Sequence, residues 1–249
     1  MSKDLHSLVS QLGITKDRAL ALCSGGIILN HDFDVSPEQF LEQAEDDYES
    51  GGSPALLNSI TNARRAIRCQ LDKVIHCVGL ASQKTTFRDK FLLLKDIGFV
   101  APRILRKVSD NRNLLEHEYK NPSLKDVEEA LDLAALFVEA TNRNLVSFSS
   151  EFSLGDRDEH FEGSVCEFKN ELSFRFDDEA KCFHVTACRK KGRLFETPEL
   201  PVLLGRLDLF SAEDMYIDIL RMAFNLEKNS DRKTKDSVSR FFEKLAKCK

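Results

Sequence analysis

Within the eight residues Arg112-Asn113-Leu114-Leu115-Glu116-His117-Glu118-Tyr119 the chain places a guanidinium, an amide, an imidazole and a phenol. Such groups can hold a phosphate and move a proton beside it. Arginine offers a rigid fork of donors to phosphate oxygens and keeps its charge, while imidazole titrates near neutrality and serves as base or acid. Together they suggest phosphodiester chemistry that needs no metal. The Arg-x4-His spacing is weak evidence by itself, because short motifs recur by chance. The Asn directly after the Arg and the Tyr two after the His, in a chain with only three Tyr, make it specific.

The elements that must position these groups read as helices. Pro102 suits a first helical turn, and Ile104, Leu105, Val108, Leu115 and Tyr119 share one face until Asn121-Pro122 stops the run. Asn113 and His117 are i,i+4 neighbours. Arg112 and His117, five apart, are separated by roughly 140° on a regular helix, so Arg112 must reach around or serve a second copy of the site across a dimer axis. Ser123 with Asp126 forms a capping signature for the next helix, whose stripe is Leu124, Val127, Leu131, Ala134, Val138 and Thr141. Upstream, Ser53-Pro54 opens a longer helix carrying Leu56, Ile60, Ala63, Ile67, Leu71, Val74 and Val78 before Gly79. Further helices are expected from Ser36 to about Glu49 and from Phe87 to Ile97. Residues 36 to 143 thus predict an antiparallel helical bundle.

Plainer readings of the motif stand beside the catalytic one. Arg112 and Glu116 are spaced for a surface ion pair. His117 lies near a helix end where a cation is favoured, and Tyr119 can pack on Leu115. Glu116 and Glu118 would repel a polyanion and raise the imidazole pKa.

A helical bundle with Arg112-Asn113-x3-His117-x-Tyr119 just before its last long helix resembles the HEPN domain family of helical nucleotide-binding and RNase modules. The stretch Phe40-Leu41-Glu42-Gln43-Ala44-Glu45-Asp46-Asp47-Tyr48, followed by Gly51-Gly52, is similar to the first helix of that family. The resemblance covers residues 36 to about 143. It implies a homodimer with one composite RNA-cleaving cleft, in which Arg112 holds the scissile phosphate, His117 is the general acid or base, and Asn113 orients the site. In the toxin subgroup that carries the Tyr, it further implies Tyr119 as a position that a partner nucleotidyltransferase antitoxin adenylylates.

The pattern changes near Asn142, so the chain divides into a helical part, residues 1–143 with an N-terminal extension, and a small α+β part, residues 144–249. In the second part Val146, Phe148, Ser150, Phe152 and Leu154 alternate, as do Cys166, Phe168, Leu172, Phe174 and Phe176. Asp177-Asp178-Glu179-Ala180 can turn the chain into a strand with Phe183, Val185 and Ala187 inward. Three or four antiparallel strands are expected, then a helix capped near Ser211 and a final helix from about Ser237. The overall fold class expected is α+β, a bundle followed by a small antiparallel sheet with two C-terminal helices. Residues 1 to 31 suggest a short helical lead and a turn at Ser24-Gly25-Gly26.

Arg106, Lys190, Lys191 and Arg193 are candidate substrate-binding cations, and the tail from Asp231 to Lys249 holds seven basic against three acidic residues. Basic runs are commonly solvated faces, and they are also where an RNA backbone is steered. The net charge of −5 excludes a general nucleic-acid-coating protein and leaves room for a local basic surface. Seven scattered Cys and six dispersed His form no zinc pattern, so no metal or cofactor is expected. With no signal peptide and no apolar run able to span a bilayer, a cytoplasmic protein with reduced thiols is expected. The sequence therefore leads to a metal-independent endoribonuclease acting on RNA. Its rivals are a non-catalytic module that binds a nucleotide or docks a partner, and a structural helical interaction protein in which the motif is accidental.

Overall fold

The computed structural model describes residues 2–80, 86–99, 122–157, 168–191, 194–196, 202–204, 209–226 and 231–247. Helices and an antiparallel sheet divide between two compact units, residues 30–146 and residues 1–29 with 147–249.

The first unit is helical, with α2 (Pro37–Ser50), α3 (Ser53–Cys77), α4 (Phe87–Asp96) and α5 (Leu124–Val146). Local chemistry sets their starts. Ser36 and Gln39 close a capping box at α2, Thr86 and Asp89 do so at α4, and at α5 the Asp126 amide donates to Ser123 Oγ while the Ser123 amide donates to Asp126 Oδ2. The α2–α3 turn uses Gly51 and Gly52 at φ +70° and +80°, a conformation glycine adopts at least cost. Glu38 lies beside Lys73 and Ala44 beside Ser59, so α2 and α3 run antiparallel. By the same logic Tyr48 with Glu128 and Glu38 with Asn142 make α2 antiparallel to α5. Ile60, Ala63, Ile67, Leu71 and Val74 of α3 are buried, as are Val127, Ala134, Val138 and Thr141 of α5, in agreement with the stripes read from sequence, but Leu124, expected to open the α5 stripe, is 59% exposed in its first turn. α4 joins them through an ion pair of Lys90 with Asp72 and ring contact of Phe91 with Phe137.

Among the described residues the second unit is built on a six-stranded antiparallel sheet, two or three strands more than expected. It comprises α1 (Ser2–Leu12), β1 (Ala19–Ile27), β2 (Phe148–Arg157), β3 (Phe168–Asp177), β4 (Cys182–Lys191), β5 (Leu194–Glu196), β6 (Val202–Leu204), α6 (Leu209–Leu226) and α7 (Asp231–Lys247). The strand order is β1-β2-β3-β4-β5, and β6 also pairs with β4. The N-terminal extension, expected to accompany the helices, belongs here: Ala19 to Ile27 pairs with Asp156 to Phe148. Ser24-Gly25-Gly26 is not a turn; register shifts around Gly25 mark bulges within β1. Val146 ends α5 and is exposed, so the strand alternation starts at Phe148. α6 and α7 each begin before the expected Ser211 and Ser237.

The β3–β4 hairpin forms as expected. Asp177 Oδ1 accepts from the amides of Glu179 and Ala180, and Lys181 takes φ +52° to complete the turn. One parity of the strands is apolar: Phe148, Phe152, Phe174, Phe183 and Val185 are sealed, with Phe224 of α6 against Phe148 and Phe241 of α7 facing Phe174. The other parity is polar, as in the cross-strand pair Glu151–Arg175. Gly155 is required by close approach, since a Cβ there would lie 2.5 Å from the Asn170 carbonyl oxygen. Fully buried Asp218 of α6 faces Lys244 Nζ at 3.1 Å and Arg240 Nε at 3.7 Å, tying α7 to α6 by charge as well as by packing.

Phe183 touches the rings of Phe148, Phe152, Phe176 and Tyr216. Phe183→Ala should cost about 3–5 kcal/mol, the usual toll of removing a buried ring, read as a lowered urea midpoint.

Candidate functional site

The motif segment lies outside the described residues, and with it Arg106, Arg112, Asn113, His117 and Tyr119; Arg193 lies outside as well. The described chain on either side is anchored. Before it, the Phe99 amide donates to the Leu94 carbonyl, the Phe99 carbonyl accepts from Asn144 Nδ2, and the ring is buried. After it, buried Pro122 leads into the Ser123–Asp126 box. Lys190 and Lys191 occupy the end of β4, in register with Phe195 and Leu194 of β5.

The structure brings together a polar cluster that sequence reasoning missed, where α2, α3 and α5 meet. Gln70 is fully buried, and its Nε2 donates to Thr141 Oγ1 at 2.7 Å and Asn142 Oδ1 at 3.0 Å. Lys73 Nζ donates to the same Asn142 oxygen at 3.1 Å and lies 3.7 Å from Glu38. Asn142 Nδ2 in turn donates to Glu38 Oε1 at 2.6 Å. The available signal was a glutamine inside the apolar stripe of α3, between Ile67 and Leu71. Burial acts to raise the Glu38 pKa, but donation from its own backbone amide, Asn142 and Ser36, with the Lys73 charge, wins and lowers it.

Two imidazoles flank Phe33 beside this cluster, His31 at 5.0 Å and His76 at 5.5 Å between ring centroids. His31 Nδ1 accepts from the Phe33 amide at 3.1 Å, which puts a neutral ring's proton on Nε2. Burial first, then the Lys73 charge, lowers the His31 pKa. His76 Nε2 is 3.9 Å from Asp32, and its Nδ1 is buried without a hydrogen-bond partner among the described residues. The lowered pKa disfavours the protonated ring, the Nδ1 lone pair of His31 is already taken by the Phe33 amide, and Lys73 is engaged with Glu38 and Asn142, so the pair is poorly placed to act as a base. On the α2–α3 surface Gln43, Asp47, Asn58, Thr61, Asn62 and Arg65 line an open polar recess of about 310 Å³. Asn62 there donates to Asp47 and accepts from Arg65. It offers hydrogen bonds and no imidazole or thiol.

Among the described residues no group of three or more His, Cys, Asp or Glu is placed to hold a metal ion. Cys23, Cys69, Cys77, Cys182 and Cys188 are not in disulfides, and burial raises the pKa of Cys69, Cys182 and Cys188, which makes them poor nucleophiles. Comparison with protein-family models, curated proteins and solved structures yields no match. No described helix is long and apolar enough to cross a membrane.

The lowered Glu38 value gives the cluster a pH signature. A carboxylate whose folded pKa is depressed contributes stability that is complete above its ordinary value of 4.5 and lost as pH falls through the folded value. Glu38→Gln keeps an acceptor for Asn142 and loses only the partly exposed pairing with Lys73. It should cost a few tenths of a kcal/mol at pH 7. Its urea midpoint should fall less than the wild type's between pH 5 and the acid limit.

Proposed function

We propose that the protein is a metal-independent endoribonuclease of HEPN type, acting as a homodimer in a toxin, defence or stress setting. The observation that carries this reading is the run Arg112-Asn113-x3-His117-x-Tyr119. It is supported by the position of that run between two described helices of one helical unit, α4 and α5. In the mechanism His117 takes the proton of a ribose 2′-OH, whose oxygen attacks the adjacent phosphorus. Arg112 stabilises the charge gathering on the phosphorane oxygens, and Asn113 orients the pair. The P–O5′ bond then breaks, and the leaving oxygen takes a proton from His117 of the second copy. A 2′,3′-cyclic phosphate results, and a substrate lacking the 2′-OH has no nucleophile. Tyr119, two residues past the imidazole, is the position at which a nucleotidyltransferase antitoxin would silence the site by adenylylation.

Glu116 and Glu118 favour a second reading. Two carboxylates beside the imidazole disfavour a polyanion and suit a module that binds a single nucleotide, or docks a partner, without cleaving. Purified wild type and His117→Ala incubated with total RNA in EDTA separate the two. The nuclease reading expects wild-type cleavage, a loss of about 10²–10⁴-fold in the variant, the usual worth of general acid–base catalysis, and no cleavage at a 2′-deoxy position. Equal and negligible cleavage by both proteins would sink the nuclease reading.

A further inference from the structure

We infer that the outer face of α7 is a docking surface for the sugar-phosphate backbone of RNA, built from Arg232, Lys233, Arg240, Lys244 and Lys247. This rests on RNA being the substrate, as proposed above. At 100° per residue these five side chains fall within about 120° of one face and span about 22 Å of helix. Asp231–Lys247 holds six basic against three acidic residues in a chain of net charge −5, so the surface is a local reversal of sign.

Packing fixes which way this face points. Val238, Phe241 and Leu245 are buried, and buried Ser237 Oγ accepts from Asn225 of α6. With its apolar stripe consumed by the core, the helix has none to lay into a bilayer. Two acids share the cationic arc. Glu243 is engaged by Lys16 at 2.7 Å, which brings a further cation to the surface, and Asp236 is exposed. Buried Asp218 holds Arg240 and Lys244 from beneath, one negative charge for two positive, so their heads are pre-organised while Arg240 stays 45% exposed. No aromatic ring stands in the arc, so bases have no platform on which to stack. Contacts go to phosphates, and binding is insensitive to sequence.

The test uses the full chain carrying His117→Ala, so that RNA is not consumed, and a fluorescent 20-nucleotide oligouridine titrated by anisotropy over a salt series. The comparison adds Arg232→Gln, Lys233→Gln and Lys247→Gln together. These side chains are exposed and leave the Asp218 pairs intact, so thermal stability should be unchanged. Each lost phosphate contact removes about 0.7 from the log–log salt slope of a single strand. The triple change should therefore flatten the slope by about 2 and weaken low-salt binding at least tenfold. An unchanged slope and affinity would overturn the inference, as would capture by phosphatidylserine vesicles with no RNA binding. Failure of the nuclease reading looks different: wild type would not cut RNA although His117→Ala bound it with the expected slope.

Discussion

Antiparallel pairing of β1 with β2 is the constraint on which the rest of this chain depends. Ile27 pairs with Phe148, so the chain leaves the sheet at one strand end and returns at its neighbour. The whole helical unit, residues 30–146, is thereby an insertion between two paired strands. Closing a loop of that length has an entropic cost that grows only slowly with its length. The cost is offset because the helices contact one another over short sequence distances, as in the Gly51-Gly52 turn, and the inserted unit has its own core. Bulges around Gly25 let β1 keep pairing with β2 where its register shifts.

Charge is handled differently in the two units. Near α2 it is absorbed into a network in which Glu38, Lys73, Asn142 and Gln70 Nε2 pair with one another where three helices meet, while buried Gln70 Oε1 finds no partner among the described residues. On α7 it is presented outward, and buried Asp218 props two of its cations from below. In both arrangements the charged groups taken from water are paired. They differ in what remains for a ligand: at the helical junction the polar groups are mostly spent, and on α7 a surplus of positive charge is left over.

The parts legible in the sequence were those governed by local chemistry. The helix start at Ser36, the capping box at Ser123, most of the apolar stripes of α3 and α5, and the Asp177 turn with Phe183 and Val185 inward each follow from residues a few positions apart. β1 was hidden because Ala19 to Ile27 carries two glycines and no clean alternation, its strand character coming from β2. The three-residue strands β5 and β6 are too short to show a period. The candidate motif is visible only as sequence, since the segment that carries it lies outside the described residues. The Gln70 cluster was invisible because its members lie on α2, α3 and α5, up to 104 positions apart.

By itself the sequence determined where the helices between residues 36 and 146 lie, that a hairpin follows them, and which side chains could hold a phosphate and move a proton. Those properties belong to spacing and side-chain type, and neighbours along the chain decide them. The tertiary structure alone decided that the N-terminal residues complete the sheet, and that Gln70 meets Asn142. It also decided that Asp218 lies beneath the cations of α7. Each of these joins residues distant along the chain, and only the burial of their shared surfaces selects the partner.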